Sequence, residues 1–187
     1  MRKAFKIILA VFVIFVVLVL AVGAVFFLDL AAYTATGASN LTPTVTSVGK
    51  AIVIYDPGLS GAAKSVADKV ASDLQEKGYS VTLAGIKSSA ASNTTGYGVV
   101  VVGGPIYAGS PTISVKDCLN DLKPAQGVRV GVFGSGAGAT SPSDVQMIRD
   151  SVTSLKNGPL SDAVVVKIGQ GEDLAARASD FVSQLTA

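Results

Sequence analysis

Three glycine-rich segments are where this sequence could do chemistry. The first reads Asp56-Pro57-Gly58-Leu59-Ser60-Gly61-Ala62-Ala63-Lys64, the second Gly103-Gly104-Pro105-Ile106-Tyr107-Ala108-Gly109, and the third Gly134-Ser135-Gly136-Ala137-Gly138. Glycine admits positive φ and close backbone approach, so such loops offer a ligand their amides more than their side chains. That suits an anion or a planar cofactor, with Lys64 as a nearby cation and Tyr107 as a ring to stack. Groups for acid–base or nucleophilic work are scarce. The chain has no His, which removes Ser-His-Asp and Cys-His arrangements and imidazole metal ligands. Its single cysteine, Cys118, excludes an internal disulfide, a CxxC pair and an iron–sulfur cluster. With only Glu76 and Glu172 available, a paired-glutamate site has poor material. What remains is chemistry carried in by a bound cofactor, or plain binding.

The elements that must position these loops follow from the apolar pattern. Ala51 to Tyr55 is a short, nearly continuous apolar run, as expected for a strand buried on both faces. The spacing predicts a helix from about Ala62 to Lys77, with Val66, Ala67, Val70, Ala71 and Leu74 on one face and Gly78 behind it. Further strands are expected at Tyr79 to Ala84, Val99 to Val102, Val128 to Phe133 and Ala163 to Ile168. Helices are expected around Val115 to Leu122, from a Ser143 cap to about Leu155, and from Glu172 to Leu185. Five strands alternating with helices specify an α/β fold, a doubly wound five-stranded parallel sheet. Ligands of such sheets bind beyond the carboxyl ends of the strands, which is where the three glycine-rich segments fall. Cys118 is expected as a small buried hydrophobe, and Asp56 as a turn residue before Pro57.

The N-terminal residues have a different character. The 187 residues are 49% hydrophobic, with a mean hydropathy of +0.53, and much of this lies in an uncharged run from Ile7 to Leu28. As a helix the run would reach roughly 33 Å, enough for a bilayer core of about 30 Å. The sequence is therefore expected to hold a transmembrane signal anchor over residues 1–30, contacting lipid through residues 7–28. A flexible linker over 31–48 and one domain over 49–187 follow. Arg2, Lys3 and Lys6 precede the run and Asp29 follows it, which predicts a single-pass membrane protein with a cytoplasmic N-terminus and the domain outside the cytoplasm. Beyond residue 30 twelve Lys and Arg face twelve Asp and Glu, so the net charge of +2 comes from the N-terminus. The domain lacks the positive field that nucleic acid requires, and no metal-ligand cluster is evident.

The loops also carry a resemblance. Tyr55-Asp56-Pro57-Gly58-Leu59-Ser60-Gly61-Ala62-Ala63-Lys64 before an amphipathic helix resembles the phosphate loop of the flavodoxin-like family. Val99 to Pro111 is similar to that family's second loop, and Gly131 to Gly138 sits where its third would be. The resemblance implies strand order 2-1-3-4-5, noncovalent FMN, and electron transfer or quinone-type reduction with a redox protein or quinone as partner. It further implies that Ser60, Gly61, Ala62, Ala63 and Lys64 surround the FMN phosphate. Pro105, Ile106, Tyr107, Ala108 and Gly109 would meet the flavin ring, while Ser135, Gly136, Ala137 and Gly138 would close over its pyrimidine side. Ala62 and Ala63 stand where the family usually carries hydroxyl or amide side chains. Two alternatives stay open. One is a flavodoxin-like domain without cofactor, serving as an extracytoplasmic interaction module. The other is a nucleotide-binding P-loop, because Gly58 to Ser65 lacks only one glycine of that pattern.

Overall fold

The computed structural model of the chain describes residues 9, 11–23 and 35–187. The chain divides into two compact units, Met1–Tyr33 and Thr34–Ala187.

In the first unit, residues 11–23 are helical, and 11–22 are exposed. Thirteen residues of helix reach only about 20 Å. Among the described residues no helix is long and apolar enough to cross a membrane. The span expected over 7–28 is thus not shown, and its residues 7, 8, 10 and 24–28 lie outside the described residues.

The second unit is built on one sheet. Its strands are β1 (Ala38–Leu41), β2 (Gly49–Tyr55), β3 (Tyr79–Gly85), β4 (Val99–Tyr107), β5 (Ser110–Pro111), β6 (Arg129–Gly136) and β7 (Val164–Gly169). Its helices are α1 (Ala62–Glu76), α2 (Ile113–Asp121), α3 (Pro142–Ser151), α4 (Thr153–Asn157) and α5 (Leu174–Thr186). The sheet is seven-stranded, ordered β1-β3-β2-β4-β6-β7, with β5 paired to β4. This corrects the expectation of five strands, all parallel, in the order 2-1-3-4-5. Two antiparallel strands are added, β1 on the outer edge of β3 and β5 beside the end of β4. The parallel strands within this sheet run β3-β2-β4-β6-β7.

The strand residues are buried in alternation. Ala51, Val53, Tyr55, Val99, Val101 and Phe133 pack on one face against α1 and α5. Ile52, Ile54, Val100, Val102 and Val132 pack on the other against Val115 and Leu119 of α2 and Ile148 of α3. Each such large side chain contributes about 1.5–3 kcal/mol of transfer free energy, which is why the four-valine run lies at the sheet centre. Gly131 in β6 is a close approach, since a Cβ there would stand 2.7 Å from Cζ of Phe181 in α5.

Residues 38–41, expected within a flexible linker, are instead β1. Ala38 pairs with Ala84 and Leu41 with Val81, and the Thr82 hydroxyl donates to Oδ1 of Asn40 at 2.9 Å. The helix expected to run from a Ser143 cap to Leu155 is two helices broken at Val152. Its cap is Ser141, because Pro142 is preorganised for the first helical position and Asp144 completes a capping box.

Candidate functional site

The loop after β2 is shaped by Asp56. This carboxylate is buried, and its Oδ1 accepts the Gly58 N–H at 3.0 Å, turning the chain sharply. Its Oδ2 accepts the hydroxyls of Thr112 at 2.9 Å and Ser114 at 2.5 Å, tying the loop to the start of α2. Gly58 and Gly61 lie at φ +62° and +71°, a region that costs other residues about 1–2 kcal/mol. A Cβ on Gly58 would strike Pro105 at 2.7 Å, whereas one on Gly61 would meet nothing within 4 Å. Open space therefore lies over the N-terminus of α1. There the Ala62 N–H donates to Ser60 Oγ at 3.3 Å and the Ser65 N–H to the Gly61 carbonyl at 3.1 Å. The N–H groups of Ala63 and Lys64 have no acceptor among the described residues. Unpaired donors at the positive end of a helix dipole make an anion-binding position. The Lys64 ammonium is turned along the helix instead, donating to both Asp68 carboxylate oxygens at 2.8 and 3.0 Å. That bond holds its pKa above the ordinary lysine value.

The second loop is a hairpin. Ile106 pairs with Pro111 and Tyr107 with Ser110, leaving Ala108 and Gly109 as the two turn residues, both at positive φ (+50° and +80°). Such primed turns suit the twist of a two-residue hairpin. Pro105 is buried, and Ile106 is half-buried over the third loop. A Cβ on Gly134 would overlap the Ile106 side chain. Tyr107 is half exposed, and its hydroxyl accepts the Leu59 N–H at 3.2 Å.

The third loop follows β6. Ser135 is buried, Gly136 is half-buried, and Ala137 and Gly138 are exposed. It rests on a polar network that the sequence analysis missed. The Lys167 ammonium, itself buried, donates to Asp144 Oδ2 at 3.1 Å and to the Ala139 carbonyl at 3.4 Å. Glu172 accepts the Thr140 hydroxyl at 2.7 Å, the Thr140 N–H at 3.2 Å and the Gly169 N–H at 2.5 Å. The Thr140 hydroxyl and the Gly169 amide hold the Glu172 carboxyl below its usual range. The Ser141 amide and hydroxyl, with Lys167, do the same for Asp144. Nothing in the spacing of Thr140 and Glu172 announces this network, which the fold brings together.

The residues singled out from the sequence thus occupy three loops at the carboxyl ends of adjacent strands β2, β4 and β6. The first two loops touch through Tyr107 and Leu59, and the second and third through Ile106 and Gly134. Asp56 is committed to hydrogen bonds within the loops and holds no free catalytic position. Cys118 is half-buried on α2, and burial pushes its thiol up to about 11. The edge presents amides and apolar surface, and the Lys116 ammonium donates to the Ser110 hydroxyl of the second loop at 3.3 Å.

Comparison with known proteins agrees with this geometry. The flavodoxin family pattern matches residues 54–179, which include all three loops. Part of a self-sufficient cytochrome P450 monooxygenase of Exserohilum turcicum is 31% identical over 93 residues, 47% of this chain and only 9% of that protein's length. Flavodoxin 2 of Bacillus cereus superposes with a TM-score of 0.52 at 19% identity, covering 73% of this chain and 97% of that one. A flavodoxin of Streptococcus pneumonia TIGR4 gives 0.51 at 20% identity, with coverage of 73% and 97%. The Flv1 flavodiiron core of Synechocystis sp. PCC6803 gives 0.52 at 15%, covering 76% of this chain and 37% of that one. At these identities the structural likeness speaks for the fold alone, and the sequence pattern carries the assignment: the chain belongs to the flavodoxin family.

Proposed function

We propose that this chain binds FMN noncovalently on the loop edge and acts in electron transfer. The observation that carries the proposal is the open N-terminus of α1, where the amides of Ala63 and Lys64 are unpaired above Gly61. A phosphate fits there on backbone donors and the helix dipole. Bound in this way, the flavin would supply one- and two-electron redox chemistry that the side chains lack. Pro105, Ile106 and Tyr107 would flank its ring, and the backbone of Ser135 to Gly138 would cover its polar edge. Ala62 and Ala63 withhold two side-chain hydrogen bonds, each worth about 1.5–3 kcal/mol to a charged partner. FMN affinity is accordingly set below that of a loop with hydroxyls at both positions. The redox partner is a protein or a quinone.

The proposal extends to the N-terminus. The uncharged run from Ile7 to Leu28 and the basic residues before it support a membrane anchor with the domain outside the cytoplasm. A fusion of a reporter active only in the cytoplasm to Ala187 tests this, since activity there overturns the external placement.

FMN binding is tested by titrating the purified full chain and following flavin fluorescence. Quenching that saturates supports the proposal. A folded protein that ignores millimolar FMN overturns it and leaves a cofactor-free interaction domain.

A further inference from the structure

Asparagine followed two positions later by Ser or Thr, with no proline between, is the acceptor pattern for N-linked sugar. It occurs twice in this chain, as Asn40-Leu41-Thr42 and Asn93-Thr94-Thr95. The fold treats the two differently.

Asn40 is held in β1. It stands opposite Thr82 in the register with β3, and its Oδ1 accepts the Thr82 hydroxyl at 2.9 Å. The Thr42 carbonyl accepts Nε2 of Gln75 at 2.6 Å, and Pro43 follows directly. A paired strand cannot turn into a transferase cleft without leaving the sheet, and a following proline restricts Thr42 to extended backbone.

Asn93 lies in the connection between β3 and β4, outside strand and helix, and is exposed, as is Thr95. Its Oδ1 accepts the Thr95 N–H at 3.0 Å, closing the three residues of the pattern into an Asx turn. Among the described residues, the Asn93 amide nitrogen and the Thr95 hydroxyl enter no other hydrogen bond. Gly96 follows at φ +85°, and a Cβ there would meet nothing within 4 Å, so the approach to the turn is open. Helix α2 starts at the loop edge, where Thr112 bonds to Asp56, whereas Thr94 and Thr95 line a cleft with Lys123 and Pro124 just past its far end. A bulky group attached there leaves the three loops uncovered.

We infer that Asn93 is an N-glycosylation site whose sugar comes from a lipid-phosphate-linked oligosaccharide. The inference rests on the external placement proposed above, because this modification belongs to exported chains. An anchor over residues 7–28 would also keep the domain at the membrane that confines such a donor. In the transfer, Asn93 Nδ2 bonds to the anomeric carbon as that carbon's bond to the phosphate oxygen breaks. The lipid phosphate leaves with the electron pair, one carboxamide proton passes to a base of the transferase, and nothing is oxidised or reduced. The Thr95 hydroxyl is free for the transferase to read.

The test is mass spectrometry of the full chain purified from the cells that make it, read on the tryptic peptide Ser88–Lys116. Fragmentation is expected to place a sugar mass on Asn93. Asn93→Gln and Thr95→Ala are expected to lose that mass. Thr95→Ser and Thr94→Ala are expected to keep it, which separates loss of the acceptor pattern from loss of folding, and Asn40→Gln is expected to lose no sugar. A bare Asn93, or sugar on Asn40 or on a Ser or Thr hydroxyl in its place, overturns the inference. The cytoplasm-only reporter at Ala187 separates the causes of failure. A bare Asn93 with a silent reporter overturns the modification and leaves the external placement standing; with an active reporter, both fall.

Discussion

The hydroxyl of Tyr107 accepts the backbone N–H of Leu59 at 3.2 Å, joining two loops that lie 48 residues apart in the chain. The contact fixes the β4–β5 hairpin against the turn after β2. It also explains Gly58, because a Cβ there would stand 3.1 Å from the same hydroxyl and 2.7 Å from Pro105. Tyr107 is thus both a surface ring and a fastener between loops.

Tyr107→Phe removes the fastener and keeps the ring. Because the site is exposed, the cost to stability is expected to be about 0.5–1 kcal/mol, with FMN affinity within about threefold of the parent. Tyr107→Ala removes the ring as well and is expected to weaken FMN binding about tenfold. Fluorescence titration of both variants separates the two roles. Equal losses of affinity would deny the ring any part in binding.

Glu172→Gln is expected to destabilise the fold by about 1–3 kcal/mol at neutral pH, because Thr140 and Gly169 lose a charged acceptor. Glu172 has its folded-state pKa lowered by those same bonds. A lowered value means that the contribution is complete above the unfolded value of about 4.3 and is lost as pH falls through the folded one. The stability gap between parent and variant should therefore be widest near neutrality and close in acid. Denaturant midpoints across pH 3–7 check this, and a gap that widens in acid contradicts it.

Gly169→Ala tests the seating of the third loop. A Cβ at this position would run into the Gly138 carbonyl, a backbone atom that no rotamer change can move aside. The expected cost is about 1–3 kcal/mol, together with a weaker FMN complex as residues 136–138 shift. Thermal unfolding measures the first effect and flavin titration the second.

Cys118 is expected to resist alkylation. Its thiol is pushed up to about 11 by burial, against 9.0 for a free cysteine. Two pKa units reduce the thiolate about a hundredfold at pH 8, before any steric protection. Iodoacetamide labelling of native and urea-unfolded protein, read by mass spectrometry, should differ by at least that factor.

The parallel strands and the positions of the loops were legible because each strand is an apolar run of its own and each loop carries its own glycines. Val99 to Val102 needs no partner to read as a buried strand. Strand β1 is different. Ala38, Ser39, Asn40 and Leu41 show no alternation of polarity, and three of the four are exposed. They form a strand because β3 offers an open edge, which is a property of the assembled sheet. Strand β5 is two residues long, one of them a proline, and exists only as the return of the Tyr107 hairpin. The break at Val152 was hidden because the apolar pattern continues across it, with Val152 and Leu155 both buried. The Lys167–Asp144 pair and the Glu172–Thr140 clamp join residues 23 and 32 apart, beyond any local pattern. The glycine-rich loops could thus be read from local residues, while the scaffolding beneath them could not.

Strand β1 also fixes where the first described residues of the second unit lie. It runs antiparallel to β3, so its first residue lies beside Ala84, near the carboxyl end of that strand. The chain is already tied down before it: the Gly85 N–H donates to the Gly37 carbonyl and the Lys87 N–H to that of Ala35. A parallel sheet that began directly with β2 would take its upstream chain at the edge remote from the loops. Here the four residues of β1 run back along β3 first, so residues 35–38 lie on the same side as the loops. Removal of residues 35–41 would thus take an edge strand from β3, and with it the two backbone hydrogen bonds to Gly85 and Lys87 at the loop end of the sheet.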